Sequence, residues 1–140
     1  MTDDTTLRTA IVVAKTLAPG EVANAAAIVM GQLALEVDGL YERGGVFAAD
    51  GSRHAGIRNN VVVLKGRQGQ VESVLDGAAA EDVVHVAFTE LGRNLSNSFE
   101  EYAAAIRERP REEVSVVAVG IAGPDERVRR LTKKLSYYGG

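Results

Sequence analysis

Residues 88–97, FTELGRNLSN, hold the side chains best suited to chemistry in this chain. They follow an apolar run and precede a helical pattern, so Glu90, Arg93 and Asn94 are expected just past the carboxyl end of a strand. A carboxylate there can act as a base or hold a polar ligand, and Arg93 or Lys15 is expected to pair with it if it is buried. The alternative is that Glu90 only caps the turn before the next helix.

A second polar group lies near the start of the chain. Lys15 follows the apolar run LRTAIVVA, and Gly20 and Asn24 lie in the segment APGEVANAAA, where a helix begins. Amides at a helix start can hold an anion, although a glycine there more often only marks the turn before the helix. Asparagine is a poor interior helix former, so Asn24 either faces a ligand or bonds the neighbouring loop. Taken with the first group, the sequence predicts a ligand site formed by Lys15, Gly20, Asn24, Glu90, Arg93 and Asn94.

Several other chemistries are excluded by composition or context. The chain has no cysteine, which removes disulfides, thiolate metal sites and a cysteine nucleophile. His54 and His85 lack the spaced partners of a metal motif, so no metal site is predicted. Ser52, Ser96 and Ser98 lack the context of a nucleophile elbow. No cofactor is predicted.

Strand and helix patterns alternate along the chain. Glycines and an Asp-Gly turn predict a hairpin excursion over 39–59, and Ser98 with Glu101 predicts a capping box. The pattern indicates one α/β domain, a three-layer α/β/α sandwich with a mixed, mostly parallel four-stranded sheet. Ligands of such sheets gather at the carboxyl ends of strands. The predicted strands cover 7–14, 60–66, 82–90 and 113–122, and the predicted helices cover 21–37, 68–81, 99–109 and 124–136.

The net charge and the hydropathy of the chain limit the classes of partner that it is expected to bind. A net charge of −3 and a pI near 5.4 argue against a protein built mainly to hold nucleic acid. Residues 1–6 form a polar lead that we expect to be disordered, and no apolar run reaches membrane-spanning length, so we expect a cytoplasmic protein without a membrane partner. The last helix carries five cations, which form either a solvated face or a phosphate-contacting surface: Arg127, Arg129, Arg130, Lys133 and Lys134.

The order of motifs resembles the type II peptidyl-tRNA hydrolases. TAIVVAKTLAPGEVANAAA is similar to their first strand and helix start, and VAVGIAGPDERVRRLTKKLSYY to their closing strand, basic helix and aromatic tail. Over residues 7–138 the chain most closely resembles a bacterial offshoot of that superfamily, the domain of unknown function 2000 family, through LAPGEVANAAA, DGSRHAGI, VVVLK and EEYAAAI. The resemblance implies a single peptidyl-tRNA hydrolase II-like domain over 7–140 and a homodimer.

The resemblance also implies an altered site in the first helix. The hydrolases have lysines where this chain has Pro19 and Glu21, a glutamine where it has Ala25, and a histidine where it has Ile28. Their usual catalytic side chains are therefore absent from this helix.

A second set of exchanges falls in ELGRN, which matches the family's aspartate-alanine-glycine-x-threonine turn. Glu90 stands for the aspartate, Gly92 keeps the glycine and Asn94 replaces the threonine. The turn occupies an active-site position with altered chemistry.

Three functional hypotheses follow. The first is a peptidyl-tRNA hydrolase II-like protein with an altered site that binds or acts on a small acyl, aminoacyl or nucleotide ligand. If it is catalytic, Glu90 is the base that positions water, and Lys15 or Arg93 stabilises the oxyanion. The second is a non-catalytic binding or regulatory module, which the exchanged side chains favour. The third is a genuine peptidyl-tRNA hydrolase, with tRNA as a less favoured partner because the chain is acidic.

Overall fold

The structure, a computed structural model, describes residues 6–94 and 98–139. The expectations for residues 1–5 and Ser96, and for the side chain of Arg93, lie outside this description. The strands are β1 (Leu7–Ala14), β2 (Val46–Phe47), β3 (Arg53–His54), β4 (Val61–Gly66), β5 (Val84–Thr89), β6 (Val116–Pro124) and β7 (Ser136–Tyr137). The helices are α1 (Pro19–Glu36), α2 (Gln68–Ala80), α3 (Glu90–Asn94), α4 (Phe99–Arg107) and α5 (Asp125–Leu131), with a 3₁₀ turn at Arg111–Glu113.

The main sheet has five strands in the order β5-β6-β1-β4-β7. The prediction of four strands is therefore wrong, and so is the prediction of a mostly parallel sheet. Only β1 and β4 pair in parallel among the described strands, because β6 runs the opposite way between β1 and β5 and pairs antiparallel with both. The result is a mixed sheet with helices on both faces.

The fifth strand, β7, lies where the sequence pattern predicts the end of the last helix. That helix ends at Leu131 instead of residue 136. The chain then turns, with the amide of Leu135 donating to the carbonyl of Thr132, and returns to pair with β4. The amide of Tyr138 extends this contact by donating to the carbonyl of Val63.

The central strand β1 is apolar from Ala10 to Ala14, because that part of the strand is covered on both faces. Ile11 and Val13 belong to the core under α1. Ala10, Val12 and Ala14 belong to the core under α2 and α5. The sheet thus divides the interior into two apolar layers, and any site on the α1 side is separated from any site on the α2 side.

The start of α1 is fixed by a side chain that bonds a backbone amide, whereas the start of α4 is not. A Glu21 carboxylate oxygen accepts from the amide of Ala18 at 2.8 Å, and Pro19 occupies the first helical position of α1. The prediction of a capping box at Ser98 is wrong, because the Ser98 hydroxyl donates to the Glu101 carboxylate at 2.6 Å and does not accept from a backbone amide of α4.

The predicted excursion over 39–59 contains a short hairpin, in which β2 and β3 pair antiparallel. Gly51 lies at its turn with φ of 89°, a conformation that favours glycine. No helix in the described part of the chain is both long enough and apolar enough to cross a lipid bilayer.

Candidate functional site

The residues predicted to form a site lie at one edge of the sheet. β1, β4 and β5 all end there, and β6 begins there. The amide of Lys15 donates to the carbonyl of Gly66 at 2.9 Å, and the amide of Glu90 donates to the carbonyl of Ser115 at 3.0 Å. Since β6 lies between β1 and β5, two strand spacings, roughly 10 Å, separate the backbones of Lys15 and Glu90.

The side chains at this edge are open to solvent. Lys15, Asn24, Glu90 and Asn94 are all exposed. Gly20 is also exposed, and a Cβ added to it would meet open space. The strand pattern thus gathers these residues at one edge, but the two cavities beside β5 are lined by other residues.

An apolar cavity of about 420 Å³ lies between α1 and β5. A second cavity of about 430 Å³ continues it along β5, and Gln32 and Val86 line both. Together the two cavities form a groove beside the edge strand of the sheet. The first cavity is lined by Ile28, Val29, Gln32, Val86, Ala87, Phe88, Gly92, Phe99 and Tyr102.

The wall on the α3 side of the cavity depends on Gly92. A Cβ at this position would lie 2.7 Å from Cε1 of Phe88 and 3.2 Å from Cε1 of Tyr102, so a larger residue would displace both rings. The amide of Gly92 donates to the buried hydroxyl of Thr89 at 3.1 Å, which holds the first turn of α3 against β5. The ELGRN segment, interpreted as a turn from the sequence, is therefore a short helix that closes one side of the cavity.

The opposite wall is a stripe of α1 in which Asn24, Ile28, Gln32 and Glu36 recur every fourth residue and lie on one helical face. Since α1 starts beside the carboxyl end of β1 and returns along the sheet, Asn24 lies toward the edge where Glu90 lies. It is about 6 Å along the helix axis from Ile28. The stripe therefore connects the predicted polar edge to the apolar cavity.

Sequence reasoning missed this cavity. It assigned Asn24 to the polar site at the helix start and did not connect it with Ile28 and Gln32 along the same helix. The signal that could have found the cavity is the four-residue spacing of Asn24, Ile28 and Gln32, which marks a partly apolar flank beside the core stripe.

The cavity has few polar atoms. The Gln32 side-chain amide donates to the Glu36 carboxylate at 2.8 Å, outside the most apolar part of the groove. Tyr102 adds the only hydroxyl among the lining residues. The lining contains no acidic or basic side chain, so it suits an apolar group better than a charged one.

Other polar clusters lie away from the cavity. In the hairpin, the Ser52 hydroxyl donates to Asp50 at 2.6 Å and lies 3.0 Å from Nε2 of His54. In a catalytic triad the histidine takes the serine proton, whereas here the proton is directed to the carboxylate. A ring nitrogen of His85 lies 2.8 Å from the carbonyl of Val83. Within residues 6–94 and 98–139, no group of three His, Asp or Glu side chains is placed to hold a metal ion.

Comparison with known proteins supports the fold and the family. A solved structure of a protein of unknown function, Atu0240 from Agrobacterium tumefaciens strain C58, superposes with a TM-score of 0.83 at 13% sequence identity, covering 99% of this chain and 100% of that one. No curated protein matches the chain. The family model described as "Protein of unknown function (DUF2000)" matches residues 7–138. The chain belongs to the DUF2000 family.

Proposed function

We propose that this protein is a peptidyl-tRNA hydrolase II-like protein with an altered site, and that it binds the apolar part of a small acyl or aminoacyl ligand in the cavity between α1 and β5. The observation that carries the proposal is that Ile28 and Gly92 line one cavity. In the resemblance, Ile28 stands at the position of the hydrolases' histidine and Gly92 at their active-site glycine. We infer that the cavity occupies the place of the hydrolases' active site and that its lining has become apolar.

The apolar lining favours an acyl chain over a nucleotide. The cavity of about 420 Å³ falls in the size range of small-molecule sites. Burial of each methylene contributes about 0.8 kcal/mol to binding. A nucleotide would require cationic partners for its phosphates, and the lining residues supply none.

The polar end of such a ligand would lie at the carboxyl edge of the sheet. Asn24 is one helical turn from Ile28 toward this edge, and Glu90 begins α3 two residues before Gly92. An aminoacyl ammonium group would pair with the Glu90 carboxylate, and a ligand carbonyl would accept from the Asn24 amide.

Binding without turnover is the form of the proposal that the side chains favour, because an isoleucine can neither donate nor accept a proton. In the alternative, hydrolytic form of the proposal, Glu90 is the base that positions water and Lys15 stabilises the oxyanion. It is favoured by one observation, namely that both residues follow strands that end at the same edge of the sheet.

The test is a calorimetric titration with a series of N-acyl glycines of increasing chain length. The affinity should rise roughly fourfold for each added methylene until the cavity is full, as 0.8 kcal/mol per methylene predicts. Ile28→Arg should abolish this dependence. Leu35→Arg is the matched control, because Leu35 lies on the same helix, is 79% exposed and does not line the cavity.

An affinity that does not change with chain length would refute the cavity as the acyl site. Equal losses in Ile28→Arg and Leu35→Arg would do the same, since they would reflect added charge on α1. Release of free acid from the N-acyl glycines, if lost in Glu90→Gln, would support the hydrolytic form of the proposal.

The resemblance also supports a homodimer in the cytoplasm as part of the proposal. Light scattering of the purified protein measures the molar mass, and a value twice that of the chain is expected.

A further inference from the structure

A cationic groove lies between α2 and the segment from α5 to β7, across the sheet from the acyl cavity. Its volume is about 510 Å³. The groove is lined by four cationic side chains and by a single carboxylate, that of Glu81. The four cations are Arg67, Arg130, Lys133 and Lys134.

The sheet itself brings two of these cations together. β4 and β7 are antiparallel, with Leu64 opposite Tyr137 and Lys65 opposite Ser136. The strand pairing ends with Lys65 and Ser136, and beyond it a Cβ at Gly66 would lie 2.6 Å from Cδ2 of Leu135. Arg67 and Lys134, the residues that follow outward on the two segments, both line the groove.

Most of these cations have no carboxylate partner. Arg130 is bonded to Glu81. Within the described residues, Arg67, Lys133 and Lys134 form no ion pair, whereas four other arginines do: Arg8, Arg58, Arg111 and Arg129. Acidic residues outnumber basic ones by 19 to 16 in the chain. A groove that collects unpaired like charges in an acidic protein is a favourable place for an anion.

The start of α2 adds to this potential. The helix has 13 residues and begins at Gln68, directly after Arg67. Its positive end faces the carboxyl edge of β4, where Arg67 and the turn with Lys133 and Lys134 also lie. A Cβ at Gly69 would meet nothing within 4 Å, so no other part of the described chain covers this side of the first turn.

We propose that this groove binds a small phosphorylated molecule carrying a di- or triphosphate group. The Arg67 guanidinium would bond a phosphate through two parallel N–H donors, and the lysines would act as point charges on the next phosphate. The groove is also large enough for a small organic group beside the phosphates. This site is independent of the acyl cavity, because the sheet separates them.

The test is calorimetric titration with tripolyphosphate at low salt, with inorganic phosphate for comparison. Tripolyphosphate should bind more tightly than phosphate, because it reaches several cations at once. The double variant Arg67→Gln, Lys134→Gln should weaken tripolyphosphate binding roughly tenfold or more, since it removes two charge-assisted contacts. The matched control is Arg43→Gln, Arg127→Gln, which removes the same charge from exposed positions outside the groove.

Equal weakening in both double variants would overturn the proposal, because it would show only the effect of net charge. Absence of tripolyphosphate binding to the unaltered protein would also overturn it. Tight binding of a single-stranded RNA, weakened equally in both double variants, would indicate an extended nucleic-acid surface in place of a small-ligand site. The N-acyl glycine titration should be unchanged in the groove variant, so failure of this site and failure of the acyl cavity give different results.

Discussion

A Cβ added to Gly120 in the centre of β6 would overlap Cγ1 of Val29 in α1. It would also lie 2.7 Å from Cδ1 of Leu33 on the same helix. The missing side chain on β6 therefore lets α1 approach the sheet closely. This approach sets the height of the α1 wall that carries Ile28 beside the cavity.

Substitution of Gly120 by alanine should destabilise the fold. Overpacking of a well-filled core costs about 1–3 kcal/mol in the free energy of unfolding. The control is Gly31→Ala on α1, where a Cβ meets nothing within 4 Å. This control should stabilise the helix by up to about 1 kcal/mol. Urea denaturation measures both values, and a Gly120→Ala protein as stable as the unaltered one would contradict the close approach.

Substitution of Thr9 by valine should stabilise the fold by about 1 kcal/mol. Thr9 lies fully buried in β1, and its hydroxyl has no hydrogen-bond partner among the described residues. Thr132→Val is the matched control, because the buried Thr132 hydroxyl donates to the carbonyl of Val128 at 2.8 Å. This control should destabilise by about 1 kcal/mol. The interpretation fails if both changes shift the melting temperature in the same direction.

The Asp50 carboxyl should titrate below its ordinary range. The hydrogen bond from the Ser52 hydroxyl is the largest cause that lowers its pKa below 3.8, followed by the bond from the Ser52 amide. Because the pKa of Asp50 is depressed in the folded state, its charged form stabilises the fold. This contribution to the free energy of unfolding is lost as the pH falls through the folded-state pKa. NMR titration of the Asp50 carboxyl carbon gives the midpoint. Ser52→Ala should move it upward, and an unchanged midpoint would show that the bond is absent in solution.

Peptidyl-tRNA should not be turned over appreciably. In the proposed resemblance, Pro19, Glu21 and Ile28 stand where the hydrolases have lysines and a histidine. The Glu21 carboxylate accepts from the amide of Ala18 at the helix start. Release of labelled peptide from peptidyl-tRNA is the measurement, with an authentic hydrolase as the positive control. Turnover that disappears in Glu90→Ala would establish the third hypothesis, a genuine hydrolase.

The elements buried on both faces were predictable from the sequence. The largely apolar run of β1 predicts Leu7–Ala14 with the observed bounds, since a strand covered by two helical layers is apolar over most of its length. β7 was not predictable, because Ser136–Tyr137 is two residues long and its pairing with β4 depends on tertiary contact. The direction of β6 was not predicted for a similar reason, since the apolar pattern of a strand does not show whether it runs parallel or antiparallel to its neighbours.

The candidate site was predictable in part. Alternating strands and helices place Lys15 and Glu90 after strands, and the structure has both at one edge. The cavity depends on where the flank of α1 lies relative to β5. That position is set by β6, which separates β1 from β5, and by Gly120 beneath the helix. Neither relationship can be read from local sequence.

The place of β6 in the sheet also determines when the protein can fold during its synthesis. β1 leaves the ribosome first, but one of its two neighbours, β6, follows about a hundred residues later. Until β6 arrives, one side of β1 stays open and β5 has no partner strand, so sheet closure is a late event with slow, non-local kinetics. Chaperone dependence during synthesis is the expected cost of this strand order.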